Sequence, residues 1–181
     1  DIAAYNGDTS SFTVTADRAV EGSNSLVSTA GQSNWKSIRS TSGLDTYVPH
    51  GSTFRVSVYL TDSADSAIVH FGVGGAGNWI GTGYNANENA IQISEAVGGS
   101  WTQLGTGPIA PVTGEWMTFE IGWGVSAPDA VDVTAYDAAG TQIGSASATA
   151  SDHQADDGVG LEYTLQYGGT GPVYFDDVRL V

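Results

Sequence analysis

Nowhere does this chain show the apolar period of a long amphipathic helix. Short runs with a two-residue period recur along it instead. In residues 53–60, Phe54, Val56, Val58 and Leu60 alternate with Arg55, Ser57 and Tyr59, so one face is apolar and the other polar. Residues 67–73 place Val69, Phe71 and Val73 on one face, with Ile68 and His70 on the other. The pattern continues at 90–94, 116–123, 131–136 and 159–165. Breaks rich in Gly or Asp separate the runs, at 61–65, 74–77, 98–100, 138–140 and 168–171. Residues 137–140, between two such runs, predict a hairpin loop. Many short antiparallel strands of this kind predict two sheets packed face to face. Residues 1–181 form one β-sandwich domain in this reading, with no repeat and no linker. The small, polar stretch 145–157 is expected to be an exposed loop or an edge strand.

Charge narrows the partners. Twenty acidic residues face five basic ones, a formal net charge of -15, and Lys36 is the only lysine. The acids are spread along the chain rather than gathered in a tail. Such a charge repels itself at ordinary ionic strength, and molar salt, with a Debye length of about 3 Å, removes most of that repulsion. The pattern resembles the acidic, lysine-poor proteins of extreme halophiles. Nucleic acid is excluded as a partner because the phosphate attraction has the wrong sign, and no apolar run is long enough for membrane insertion as a helix. A start at Asp1 without methionine or signal segment fits a processed product or a module of a larger secreted protein, so an extracellular or cell-surface location is expected.

Residues 19–26 (Ala-Val-Glu-Gly-Ser-Asn-Ser-Leu) and 173–180 (Val-Tyr-Phe-Asp-Asp-Val-Arg-Leu) together resemble the jelly-roll, concanavalin A-like modules that bind carbohydrate. Residues 115–121 followed by 131–140 resemble the Trp-bearing strand, second strand and Asp-x-x-Gly turn of laminin-G-like and concanavalin-like domains. The resemblance implies an all-β, two-sheet antiparallel sandwich and a lectin-like or carbohydrate-binding role. It also implies a structural calcium ion clamping the chain ends, with Glu21 and Asp176 at the matching positions and Asp177 as the alternate. The other reading of these residues has Glu21 capping a turn and Asp176 pairing with Arg179.

A sugar site needs flat apolar faces and polar groups for hydroxyls, and aromatic rings supply the platform. Trp123 is in register with Met117, Phe119 and Ile121 and is expected in the core. Trp79 and Tyr84 lie in a glycine-rich stretch without core periodicity and are the expected exposed ring contacts. Trp101 follows Gly98-Gly99-Ser100 as an expected hairpin-tip ring. Arg39, Tyr59, His70 and Gln92 fall on non-core faces and are the expected hydrogen-bonding groups; in one curved sheet they would share a concave side with Arg55, Trp116 and Glu120. A non-catalytic polysaccharide- or glycan-binding module is the leading reading. A polysaccharide lyase or glycoside hydrolase on the same fold is the second. Glu115 and Glu120 point to opposite faces of a strand, which does not suit a hydrolase's paired carboxylates; a lyase would use Arg39, Tyr59 and His70. A structural or adhesive surface domain is the third. The three histidines, His50, His70 and His153, have no zinc spacing.

Overall fold

The computed structural model describes residues 5–28, 35–40, 48–75, 77–153, 159–165 and 171–181, with 5–7, 35, 39, 40, 75 and 159–165 described by backbone only. It is a sandwich of two seven-stranded sheets. The first sheet runs, edge to edge, through β1 (Tyr5–Gly7), β4 (Trp35–Ser40), β13 (Val159–Leu165), β6 (Asp65–Gly75), β7 (Asn78–Asn85), β8 (Ala90–Val97) and β9 (Ser100–Pro108). The second runs through β12 (Gln142–Thr149), β11 (Ala130–Tyr136), β10 (Trp116–Trp123), β5 (Ser52–Leu60), β14 (Val173–Leu180), β3 (Ser25–Ser28) and β2 (Phe12–Thr15). Every strand pair within the sheets is antiparallel. The all-β expectation holds, and the polar stretch after 141 begins as the edge strand β12.

The alternating runs deliver their apolar faces to the space between the sheets. Phe54, Val56, Val58 and Leu60 of β5 and Met117, Phe119, Ile121 and Trp123 of β10 are buried there. They meet Val69 and Phe71 of β6, Ile80 of β7, and Ile91 and Ile93 of β8. Phe71 ties the sheets together: its ring meets Phe54 edge-on at 5.3 Å and Trp123 at 5.4 Å. Gly72, with φ +56°, lies beneath that indole, where a Cβ would come within 3.0 Å of Trp123 Cζ2. One side of the sandwich closes where β9 meets β12. A Cβ on Gly107 would lie 1.9 Å from the Ser145 carbonyl oxygen, so only a bare backbone lets the edges approach this closely.

Candidate functional site

The outward face of the first sheet holds the candidate site, and strand pairing assembles it. His70 on β6 pairs with Gly81 on β7, which pairs with Ser94 on β8, which pairs with Gln103 on β9. One step along, Ile68 pairs with Gly83 and Gly83 with Gln92. At the other end Trp79 pairs with Ala96 and Ala96 with Trp101. The result is a cavity of about 470 Å³. Its sheet-borne lining is Ile68, His70, Trp79, Asn85, Gln92 and Ser94. The β7–β8 turn adds Asn87 and Glu88, and β9 adds Trp101 and Gln103.

Glycine shapes the floor. The His70 and Trp79 rings stack, with centroids 3.8 Å apart and planes 10° from parallel. Both rings fill the space that Gly81 leaves: a Cβ there would lie 2.9 Å from His70 Cδ2 and 3.0 Å from Trp79 Cζ3. Gly83 has φ +149°, and a Cβ on it would lie 2.1 Å from the Ala67 carbonyl oxygen. His70 is buried, and burial pushes its imidazole down to about 3, so the ring is neutral across the physiological range. Trp79 is only half-buried, which leaves indole surface on the cavity while His70 braces the ring.

Side-chain amides surround these rings. The Asn85 amide donates to Gln92 Oε1, and Asn85 Oδ1 accepts the Asn87 N–H at 2.9 Å, fixing the turn between β7 and β8. Ser94 Oγ donates to the Gly81 carbonyl at 3.4 Å. Gln103 Nε2 donates to Glu88 Oε2 at 3.4 Å across the mouth. At the opposite end the two hairpin tips lock: Gly98 N–H donates to Asn78 Oδ1 at 2.8 Å and Gly99 N–H to the Gly77 carbonyl at 2.9 Å. Trp101 stands beside this junction, 54% exposed. Among the described residues no lysine or arginine lines the cavity and Glu88 is the one carboxylate that does.

Of the residues singled out in the sequence, His70, Trp79 and Gln92 come together here, and Trp101 is the exposed ring beside a hairpin tip that its glycines suggested. Tyr84 does not belong to this surface. It faces the core, 1% exposed, and its hydroxyl donates to the Ser63 carbonyl at 2.9 Å. It lies five residues from Trp79 on one strand, and strand pleating puts residues an odd number apart on opposite faces. Tyr59 is also elsewhere, on the outward face of the second sheet. Arg18 donates to its hydroxyl at 2.9 Å and lies 4.3 Å above its ring, with Trp116 and Tyr174 packed edge-on against it. Arg55 and Glu120 share that sheet as an ion pair at 2.6 Å, so the single concave face expected for all these groups is split between two sheets. The Arg39 backbone pairs with Gly160, which pairs with His70, and its side chain lies outside the described residues. Sequence reasoning missed Asn85, Asn87, Glu88, Ser94 and Gln103. The run Asn85-Ala-Asn-Glu-Asn89 between two apolar strands was the available signal for the first three.

Glu21 and Asp176 do meet, but their carboxylates are already engaged. Asp176 Oδ2 accepts the Val20 and Glu21 amides at 2.6 and 3.2 Å, and Oδ1 accepts the Asp177 amide at 2.7 Å. Arg179 bonds Glu21 Oε1 at 2.5 Å and Asp177 Oδ1 at 3.1 Å. A guanidinium supplies positive charge at this clamp, where Glu21, Asp176 and Asp177 are the carboxylates that a calcium ion would use. Among the described residues no cluster of three His, Asp or Glu side chains forms a metal centre.

The fold is an antiparallel, two-sheet jelly-roll sandwich. In particular, it is similar to the carbohydrate binding module CBM66 from Bacillus subtilis, with TM-score 0.63, 12% identity and 94% of each chain covered. It is similar to peanut lectin, solved with a nonapeptide, with TM-score 0.55, 15% identity, and 97% of this chain and 88% of that one covered. It also matches a carbohydrate esterase of the Shiga toxin-encoding bacteriophage phi24B, with TM-score 0.54, 14% identity, and 99% and 91% covered. At these identities the likeness establishes the fold. No family model and no curated protein matches the sequence.

Proposed function

We propose that this chain is a non-catalytic glycan-binding module that takes a neutral sugar on the outward face of its first sheet. The observation that carries the reading is the cavity in which a braced, half-buried tryptophan is ringed by side-chain amides. A sugar ring sets its C–H face on Trp79, and Asn85, Asn87, Gln92 and Gln103 offer paired donors and acceptors to its hydroxyls. Because Gln92 Oε1 is engaged by Asn85, its Nε2 is the group left to donate. Trp101 gives a second apolar surface at the rim, suited to a neighbouring residue of a polysaccharide. A uronate would meet Glu88 and a strongly acidic protein, which weighs against an acidic ligand.

The described lining favours binding over catalysis. Hydrolysis of a glycosidic bond uses two carboxylates, and Glu88 is the one carboxylate among the described lining residues. The lyase pairing of His70 with Tyr59 fails because they lie in different sheets. The protein-wide acidity and near-absence of lysine support a salt-adapted protein. The test is titration of wild type and Trp79→Ala with neutral and uronic oligosaccharides in molar salt, reading tryptophan fluorescence and product release together. The account expects saturable binding of neutral sugars without turnover, lost in Trp79→Ala with the fold intact. Turnover, or affinity unchanged by the substitution, contradicts it.

A further inference from the structure

A second site lies at one end of the sandwich, away from the glycan cavity. Asp65, the first residue of β6, faces inward and is 0% exposed, and neither carboxylate oxygen makes a hydrogen bond of good geometry. Gly171 N–H is the one described backbone donor that acts on it. Burial and the neighbouring Asp62 carboxylate both disfavour its charged form. No described ion pair reaches either residue. A buried carboxylate with no partner is costly, and protonation, pairing or a metal ion compensates it. Further oxygens crowd the same place. Thr61 Oγ1 and Asp65 Oδ2 both lie within 3.3 Å of the point that a Cβ on Gly171 would occupy. Thr61 Oγ1 donates its proton to the Pro172 carbonyl at 2.9 Å, which leaves its lone pairs for another partner.

We propose that Asp62 and Asp65, with the Thr61 hydroxyl beside them, form a binding site for a divalent, oxygen-seeking cation of the calcium class. Two carboxylates call for a double positive charge, and a set made only of oxygens suits a hard ion with flexible coordination. The site lies where β5 of one sheet turns into β6 of the other, beside the approach to the last strand, so the ion ties the two sheets together at that end. It is separate from the clamp at Glu21 and Asp176, whose charge balance Arg179 supplies.

Thermal unfolding of the full chain, followed at fixed ionic strength in calcium, magnesium and chelator, tests this, together with terbium luminescence sensitised by Tyr84, whose hydroxyl bonds the Ser63 carbonyl within the same turn. The midpoint should rise saturably with calcium, and terbium emission should be displaced by calcium. Asp62→Asn should weaken half-saturation about tenfold or more by removing one charged ligand, and Asp65→Asn should abolish the response, while Asp176→Asn keeps it. If Asp65→Asn does not fold, Asp62→Asn and the terbium competition carry the test. Equal midpoints in calcium and chelator overturn the proposal, as does a response that survives in Asp62→Asn but disappears in Asp176→Asn.

Discussion

Acid should destabilise this protein through His70 by an amount that can be worked out. In the fold, burial holds the imidazole near 3; in the unfolded chain it returns to 6.5. The unfolded state therefore binds a proton that the native state refuses, and stability falls as pH drops below 6.5, down to about 3. Between pH 7 and pH 5 the cost is about 2 kcal/mol, at 1.36 kcal/mol per pH unit over the one and a half units below 6.5. The carboxylates of so acidic a chain titrate in the same experiment, so the quantity to read is a difference between two proteins. Urea unfolding of wild type and His70→Gln at both pH values should show wild type losing about 2 kcal/mol more than the variant. In the wild type, the His70 ring resonances should stay unshifted from pH 8 to pH 5. Parallel stability losses, or a ring that titrates near 6.5, would refute the buried, neutral stack beneath Trp79.

Gly107→Ala should cost roughly 1–3 kcal/mol or more in denaturant unfolding, because its Cβ collides with the Ser145 carbonyl where β9 meets β12; a neutral result would mean that the sheet edges are not so close. Gly81→Val should remove glycan binding, as measured by fluorescence, while most of the stability remains, since the new side chain displaces the His70–Trp79 stack. Raising sodium chloride from 0.1 M to 1 M should raise the unfolding midpoint, as the Debye length falls from about 10 Å to about 3 Å and the self-repulsion of a -15 chain is screened. A flat or falling midpoint would count against salt adaptation.

The parity of apolar residues made much of the fold legible. Phe54 to Leu60 and Met117 to Trp123 alternate without interruption, and both become central strands with those residues inward. Parity also separates Trp79 from Tyr84, once 78–85 is taken as a single strand rather than a glycine-rich loop. What periodicity cannot supply is the sheet to which a polar face belongs. Tyr59 and His70 both alternate away from the core, yet long-range pairing puts one beside Arg18 and the other beside Gly81. Nor does the sequence distinguish a carboxylate that caps backbone amides, as Asp176 does, from one buried without a hydrogen bond of good geometry, as Asp65 is. The first depends on the turn at residues 20–21 and the second on packing against Gly171.

The most direct test of the central claim is NMR mapping of the protein during titration with neutral oligosaccharides in molar salt. The account predicts that the largest shifts fall on the Trp79 indole, the Asn85, Gln92 and Gln103 side-chain amides and the Trp101 indole, with Tyr59, Trp116 and Tyr174 unmoved. Shifts centred on that second aromatic group, with the Trp79 cavity silent, would contradict it.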